Sequence, residues 1–317
     1  MNPRAEATTR LGGRYDARVL EPSPPAVTTA PWFADDPVDP GEAPTGRPLV
    51  SPVARAQLPG TGTTWEQLAA EDPALADWCA ERWLGPVRAL GPAPPGLVAT
   101  RVALHRLAEQ VISPARRRAN TKIGLRWTRG GFGTPWFAPQ RQLRVQGDML
   151  VVVDGEREHR EPIRSLTAAA ERLGAGWLPD DVTLDDAPLT LDPGAAAFIG
   201  DWFGLATHVL ETLRAGAGAE AEPSRVQLWP EHFDVALELG AESDGARAAY
   251  GLSPGDEAHD EPYLYVAPWQ APEPGPLWRA QAFAGAELSY RDLIAAADQR
   301  AEALAFFTAR LHALTRG

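Results

Sequence analysis

Hydrophobic positions recur at helical spacing over residues 97–115, where Val98, Val102, Leu104, Leu107 and Val111 mark one face of an amphipathic helix. An earlier helical stretch opens at 64–68 with Thr64 in the N-cap place. It resumes over 73–84, where Pro73 fits a first turn and Gly85-Pro86 is a stop. Leu75, Trp78, Cys79 and Trp83 fall at helical spacing there and read as core. Past Asn120 the period changes to two. Residues 122–127 alternate, Gly130-Gly131 signals a hairpin turn, and short strands are expected over 134–137, 141–146 and 149–153. Leu150, Val151, Val152 and Val153 form an unbroken apolar run, the pattern of a strand covered on both faces.

Ser165 caps a short helix that ends at Gly174, and Asp192-Pro193 opens a long one through Phe198, Trp202, Leu205, Val209 and Leu213. Residues 216–221 read as a flexible break. Strands follow over 229–239 and 263–266, another over 277–283, and a final helix over 289–314 carries Leu293, Ala297, Leu304, Phe307 and Leu311 on one side. Strand runs without regular βαβ alternation predict an α+β fold, mainly antiparallel sheet with helices packed against it.

Composition divides the chain. The first 60 residues hold eleven prolines and no hydrophobic period, so residues 1–60 are expected to be a disordered or loosely attached arm. Residues 61–317 are expected to form a single α+β domain: helical over 61–118, sheet-rich over 120–162, a helix over 192–215, a hairpin site over 225–285 and a C-terminal helix over 289–314. No repeat shows at solenoid periods.

A net charge of −12 makes nucleic acid a poor partner. The basic run Arg116-Arg117-Arg118 with Lys122, the only lysine, falls at a helix end, where it complements the dipole. Cys79 is the only cysteine, which excludes an intrachain disulfide and a cysteine metal cage. No apolar leader opens the sequence and no window of about 18 residues suits a membrane span, so a soluble cytoplasmic protein with no membrane partner is expected.

The densest chemistry lies between Trp229 and Trp269. Two of the six histidines, His232 and His259, share this stretch with Tyr263, Tyr265 and several carboxylates. Strand alternation puts Phe233, Val235, Leu237 and Leu239 on a core face and His232, Asp234, Ala236 and Glu238 on the other. Tyr263 and Tyr265, opposite Leu264 and Val266, are expected on the same face as Asp234. Three readings stay open. Trp229, His232, Asp234, Asp256, His259, Tyr263 and Tyr265 can line a pocket that binds a small molecule or protein partner without chemistry and without a cofactor. His232, Asp234 and His259 can ligate a divalent transition metal, with Glu257 or Glu261 as general base of a hydrolase. Or the polar groups simply hydrogen-bond one another.

Gly251-Leu252-Ser253-Pro254-Gly255 matches a nucleophile-elbow pattern, but Pro254 has no N–H to offer an oxyanion hole, so a turn is expected. Gly130-Gly131-Phe132-Gly133 lacks the lysine and helix of a phosphate loop. His105 and His208 read as structural, and His159 and His312 as surface residues.

Trp229-Pro230, His232-Phe233-Asp234, Ser253-Pro254-Gly255-Asp256 and Glu261-Pro262-Tyr263 with Tyr265-Val266 resemble the pattern of an uncharacterised family of largely actinobacterial hypothetical proteins. The resemblance is specific over about 40 residues and extends more loosely from Asn120 to the C-terminus. It implies no activity, cofactor or catalytic residue.

Overall fold

The structure, a computed structural model, describes residues 18–19, 88–120, 122–134, 141–154, 157–174, 176–178, 183–224 and 226–315. The helical expectations over 64–84, and the proline-rich arm apart from residues 18–19, lie outside the described residues, as do Trp136 and Phe137. β1 (Arg18–Val19) pairs antiparallel with β2 (Arg88–Ala89).

The helix expected over 97–115 is present and longer. α1 (Leu97–Leu107) passes through a π-helical stretch, Ala108–Ile112, into α2 (Ser113–Asn120). Pro114 has no N–H for the carbonyl one turn back, and the wider π turn sits directly before it. The buried stripe keeps Leu104, Leu107 and Val111 of the expected face and departs from it at Val98 and Val102. Leu97, Arg101, Leu104, Leu107 and Val111 are buried, whereas Val98 and Val102 are 39% and 49% exposed. Two stripes about 100° apart compete on this helix. The one carrying Leu97, Leu104, Leu107 and Ala108 wins because Arg101, in its midst, finds carbonyl partners.

A first five-stranded antiparallel sheet follows in sequence order: β3 (Arg126–Thr128), β4 (Gly131–Gly133), β5 (Arg141–Gln146), β6 (Met149–Asp154) and β7 (Arg157–Pro162). Leu150 to Val153 are buried on both faces, as their run implies. β7 has no counterpart among the expected strands. Its sequence, Arg157-Glu158-His159-Arg160-Glu161-Pro162, has no apolar alternation because it is an edge strand, paired on one side only with β6.

Both expected helix caps form. Ser165 Oγ accepts from the Ala168 N–H at 3.1 Å ahead of α3 (Leu166–Leu173). Asp192 Oδ1 accepts from the Ala195 N–H at 2.8 Å ahead of α4 (Pro193–Gly216). α4 packs against strands of both sheets and buries Phe198, Trp202, Phe203, Leu205 and Val209.

The second five-stranded antiparallel sheet again runs in sequence order: β8 (Gln227–Trp229), β9 (Asp234–Leu239), β10 (Ala248–Ser253), β11 (Tyr263–Pro268) and β12 (Ala286–Ser289). β12 replaces the strand expected over 277–283, where the backbone bends and turns. The single helix expected over 289–314 is two, α5 (Tyr290–Ala295) and α6 (Gln299–Thr315). Asp298 accepts from the Arg300 and Ala301 N–H groups and so starts α6 afresh.

The architecture is therefore α+β: two antiparallel sheets with helices packed against them. Their first strands meet at Leu125 and Leu228, which exchange backbone hydrogen bonds of 2.7 and 2.8 Å. Helix, five-strand meander, helix occurs twice along the chain, a repeat carried by topology. One hydrophobic cluster runs through both halves. No described helix is long and apolar enough to cross a membrane.

Candidate functional site

Residues 229–239 are not one strand. β8 ends at Trp229, residues 230–233 make the turn, and β9 starts at Asp234, directly paired with Trp229. Phe233 takes a left-handed φ of 54° inside that turn. Its ring is buried, stacks on His105 at 5.3 Å and meets Phe132 and Phe203 edge-on. His232 is consequently an exposed turn residue, which corrects its expected place on a strand face.

From Asp234 onward the alternation holds. Val235, Leu237, Leu239, Tyr250, Leu252, Leu264 and Val266 are buried on the face toward the helices. Asp234, Ala236, Glu238, Tyr263, Tyr265 and Ala267 line a cleft of about 1200 Å³ over the opposite face. α1 closes one side of this cleft through Val98, Arg101, Val102 and His105. The stripe that lost the competition for the core is thus the cleft's apolar wall.

At the cleft floor, Ala236, Gly251 and Tyr265 lie side by side on β9, β10 and β11. A Cβ at Gly251 would come within 2.4 Å of the Tyr265 ring. The bare backbone lets that ring lie across β10, and its hydroxyl donates to Asp234 Oδ2 on the strand beyond. Asp234 is only 2% exposed, and its Oδ1 has no hydrogen-bond partner among the described residues. Burial is the main cause that raises its carboxyl pKa to about 6, against the opposing pull of the Tyr265 bond, nearby His232 and the residue's own backbone N–H, with Glu231 adding to the rise. Burial and the adjacent Asp234 push the Tyr265 phenol well above its ordinary value.

A second cluster sits beside the first. Asp256 Oδ2 accepts from the Tyr263 hydroxyl at 2.6 Å, and Asp256 Oδ1 lies 2.9 Å from His259 Nδ1 while also accepting the Ala258 and His259 N–H groups at 2.8 Å. Burial pushes the Asp256 carboxyl up, but these hydrogen bonds outweigh it and hold the group below its ordinary value. The His259 and Tyr263 rings are 4.2 Å apart. Burial, then Asp256, raises the Tyr263 phenol.

Arg101 fixes this loop. It is 5% exposed and donates to the carbonyls of Asp256, His259 and Asp260 at 2.8, 2.9 and 3.3 Å. Gly255, at φ 107°, leaves it room: a Cβ there would lie 2.0 Å from Arg101 Nη1. Sequence reasoning misses Arg101. The signal that could have found it is an arginine four residues after Leu97 and three before Leu104, on a core stripe.

Trp229, His232, Asp234, Asp256, Tyr263 and Tyr265 all line the cleft; His259 is tied to it through Asp256. Ser253 Oγ donates to the Gly255 carbonyl and accepts the Gly255 N–H, so the expected turn is present. The alternative metal site is not assembled: among the described residues no group of three or more His, Cys, Asp or Glu side chains is placed to hold a metal ion. His208 is structural, its Nδ1 2.8 Å from the Gly204 carbonyl and its pKa pulled to about 3 mainly by burial.

Comparison with protein-family models, with curated proteins and with solved structures finds no match to this chain in any of the three.

Proposed function

We propose that this is a cytoplasmic protein that binds a small molecule or a protein partner in the cleft between α1 and the second sheet, without turnover. The observation that carries the reading is Asp234, a buried carboxylate lining a cleft, with one oxygen that has no hydrogen-bond partner among the described residues. An incompletely satisfied buried charge costs stability, and a ligand that completes its pairing recovers that cost. The aromatic groups around it supply contact area with little side-chain entropy to lose. The acidic balance disfavours nucleic acid and anionic membranes as partners. Kinship with the uncharacterised actinobacterial family rests on the motif residues alone and adds no mechanism.

The test is ligand-observed NMR against a chemically mixed library of metabolite-sized compounds and short peptides. It is run on the full chain and on Ala267→Phe, which puts a ring into the cleft. Compounds whose contact is lost in Ala267→Phe support the site. Binding indifferent to that substitution, or a library in which nothing binds, removes it.

A further inference from the structure

The cleft's charges are one-sided. Glu109, Glu231, Asp234, Glu238, Asp256, Glu257 and Asp260 line it, against two arginines, and of these acids Glu238 is already paired with Arg247 at 3.1 Å. Neither arginine is available to an anion: Arg101 is held by three carbonyls, and Arg106 pairs with Asp185 at 3.0 Å. Glu109, Glu231 and Glu257 form no ion pair among the described residues. A concave surface lined by one sign of charge concentrates ions of the other.

Asp234 narrows the class of cation. Its Oδ2 is held by Tyr265, leaving Oδ1 as a single acceptor. A guanidinium fork is matched by two free carboxylate oxygens, whereas an ammonium is a compact charge that can give one of its three N–H groups to a single oxygen and turn the other two to the open cleft. Oδ1 is shielded from water, so a donor reaches it by a side-chain shift, and His232 in the adjoining turn is exposed and free of hydrogen bonds among the described residues. Trp229 and Tyr263 are aromatic linings of the cleft, Tyr263 already packed against His259 on one side, and the exposed Val98 and Val102 with Phe283 offer apolar surface to what carries the cation.

We propose that the cleft takes a ligand bearing a primary ammonium on an apolar stem, with the ammonium paired to Asp234. This rests on the cleft being the binding site. The ammonium comes either from a free alkylamine or from the lysine side chain of a partner.

Calorimetry on the full chain compares pentylamine and N-acetyl-lysine methylamide with 1-pentanol, hexanoate and N-acetyl-arginine methylamide. The ammonium probes are expected to bind about tenfold or more tightly than the neutral, anionic and guanidinium ones, and to lose about tenfold in Asp234→Asn. Pentylamine ahead of the lysine probe indicates a free amine; the reverse order indicates a partner's lysine. Should Asp234→Asn fail to fold, Glu231→Gln with Glu257→Gln, both exposed, is expected to weaken the ammonium probes about threefold and leave 1-pentanol unchanged. Pentanol or hexanoate binding as tightly as pentylamine, in a manner blocked by Ala267→Phe, overturns the ammonium assignment and leaves the cleft reading standing. Ammonium binding unaffected by these carboxylate substitutions overturns it too, as does no ammonium binding at about 10 mM; the cleft reading is then judged by the library screen alone.

Discussion

Replacing Asp234 by asparagine is expected to raise stability relative to the wild type as pH rises, because the native state keeps this carboxyl ionised at a cost. Its pKa goes from 3.8 to about 6, with burial the largest cause. Two units correspond to about 3 kcal/mol. The sign follows from proton binding. Between those two values the native state holds the proton that the unfolded chain has released, so wild-type stability falls as pH rises through the window. Below about pH 3 both states are protonated and the cost is absent; above about pH 7 it is complete. The asparagine side chain of the variant cannot ionise and escapes it. Its amide also leaves a buried N–H without an acceptor, a fixed penalty of about 1–3 kcal/mol at every pH. The informative quantity is therefore the change in the stability difference with pH. Urea unfolding of both proteins, followed by tryptophan fluorescence at about pH 4, 5, 6 and 7.5, measures it. The variant is expected to gain about 2.5 kcal/mol on the wild type across that range. A difference that stays flat within about 0.5 kcal/mol refutes the reasoning, since it means Asp234 titrates alike in both states.

Gly251→Ala is expected to displace the Tyr265 ring from Asp234 and cost about 1–3 kcal/mol, read from the same urea melts; an unchanged midpoint would mean the ring does not need that space. Arg101→Met removes three hydrogen bonds to the loop over 256–260 and is expected to cost about 2–4 kcal/mol, with amide exchange quickened there; exchange as slow as wild type counts against the latch. Asp256→Asn is expected to behave oppositely to Asp234→Asn. The wild-type carboxyl lies below its ordinary value, so its contribution is present at neutral pH and lost as pH falls, and the variant's deficit should shrink on acidification. His232→Ala and Tyr265→Ala are each expected to weaken any ligand found in the cleft, and both keeping full affinity would show that the site is misplaced.

Much of the α+β layout was legible because its signals are local. Ser165 and Asp192 are caps, Leu150 to Val153 is a doubly covered strand, and Asp234, Tyr263 and Tyr265 share a face by strict alternation. What escaped depends on partners distant in sequence. Val98 and Val102 look like core until Arg101 is known to reach carbonyls more than 150 residues away, which leaves the two valines outside the core. β7 has no pattern of its own and exists because β6 offers it an edge. His232 left its strand because Phe233 takes a left-handed backbone to bury its ring, a choice invisible in a period-two pattern.

The carboxyl ¹³C titration of Asp234, assigned by its absence in Asp234→Asn, goes to the heart of the matter. An inflection near pH 6 in the free protein, moving well down when pentylamine is added, is what a buried carboxylate that pairs with an ammonium requires. An inflection at the ordinary aspartate value, indifferent to the amine, would contradict it.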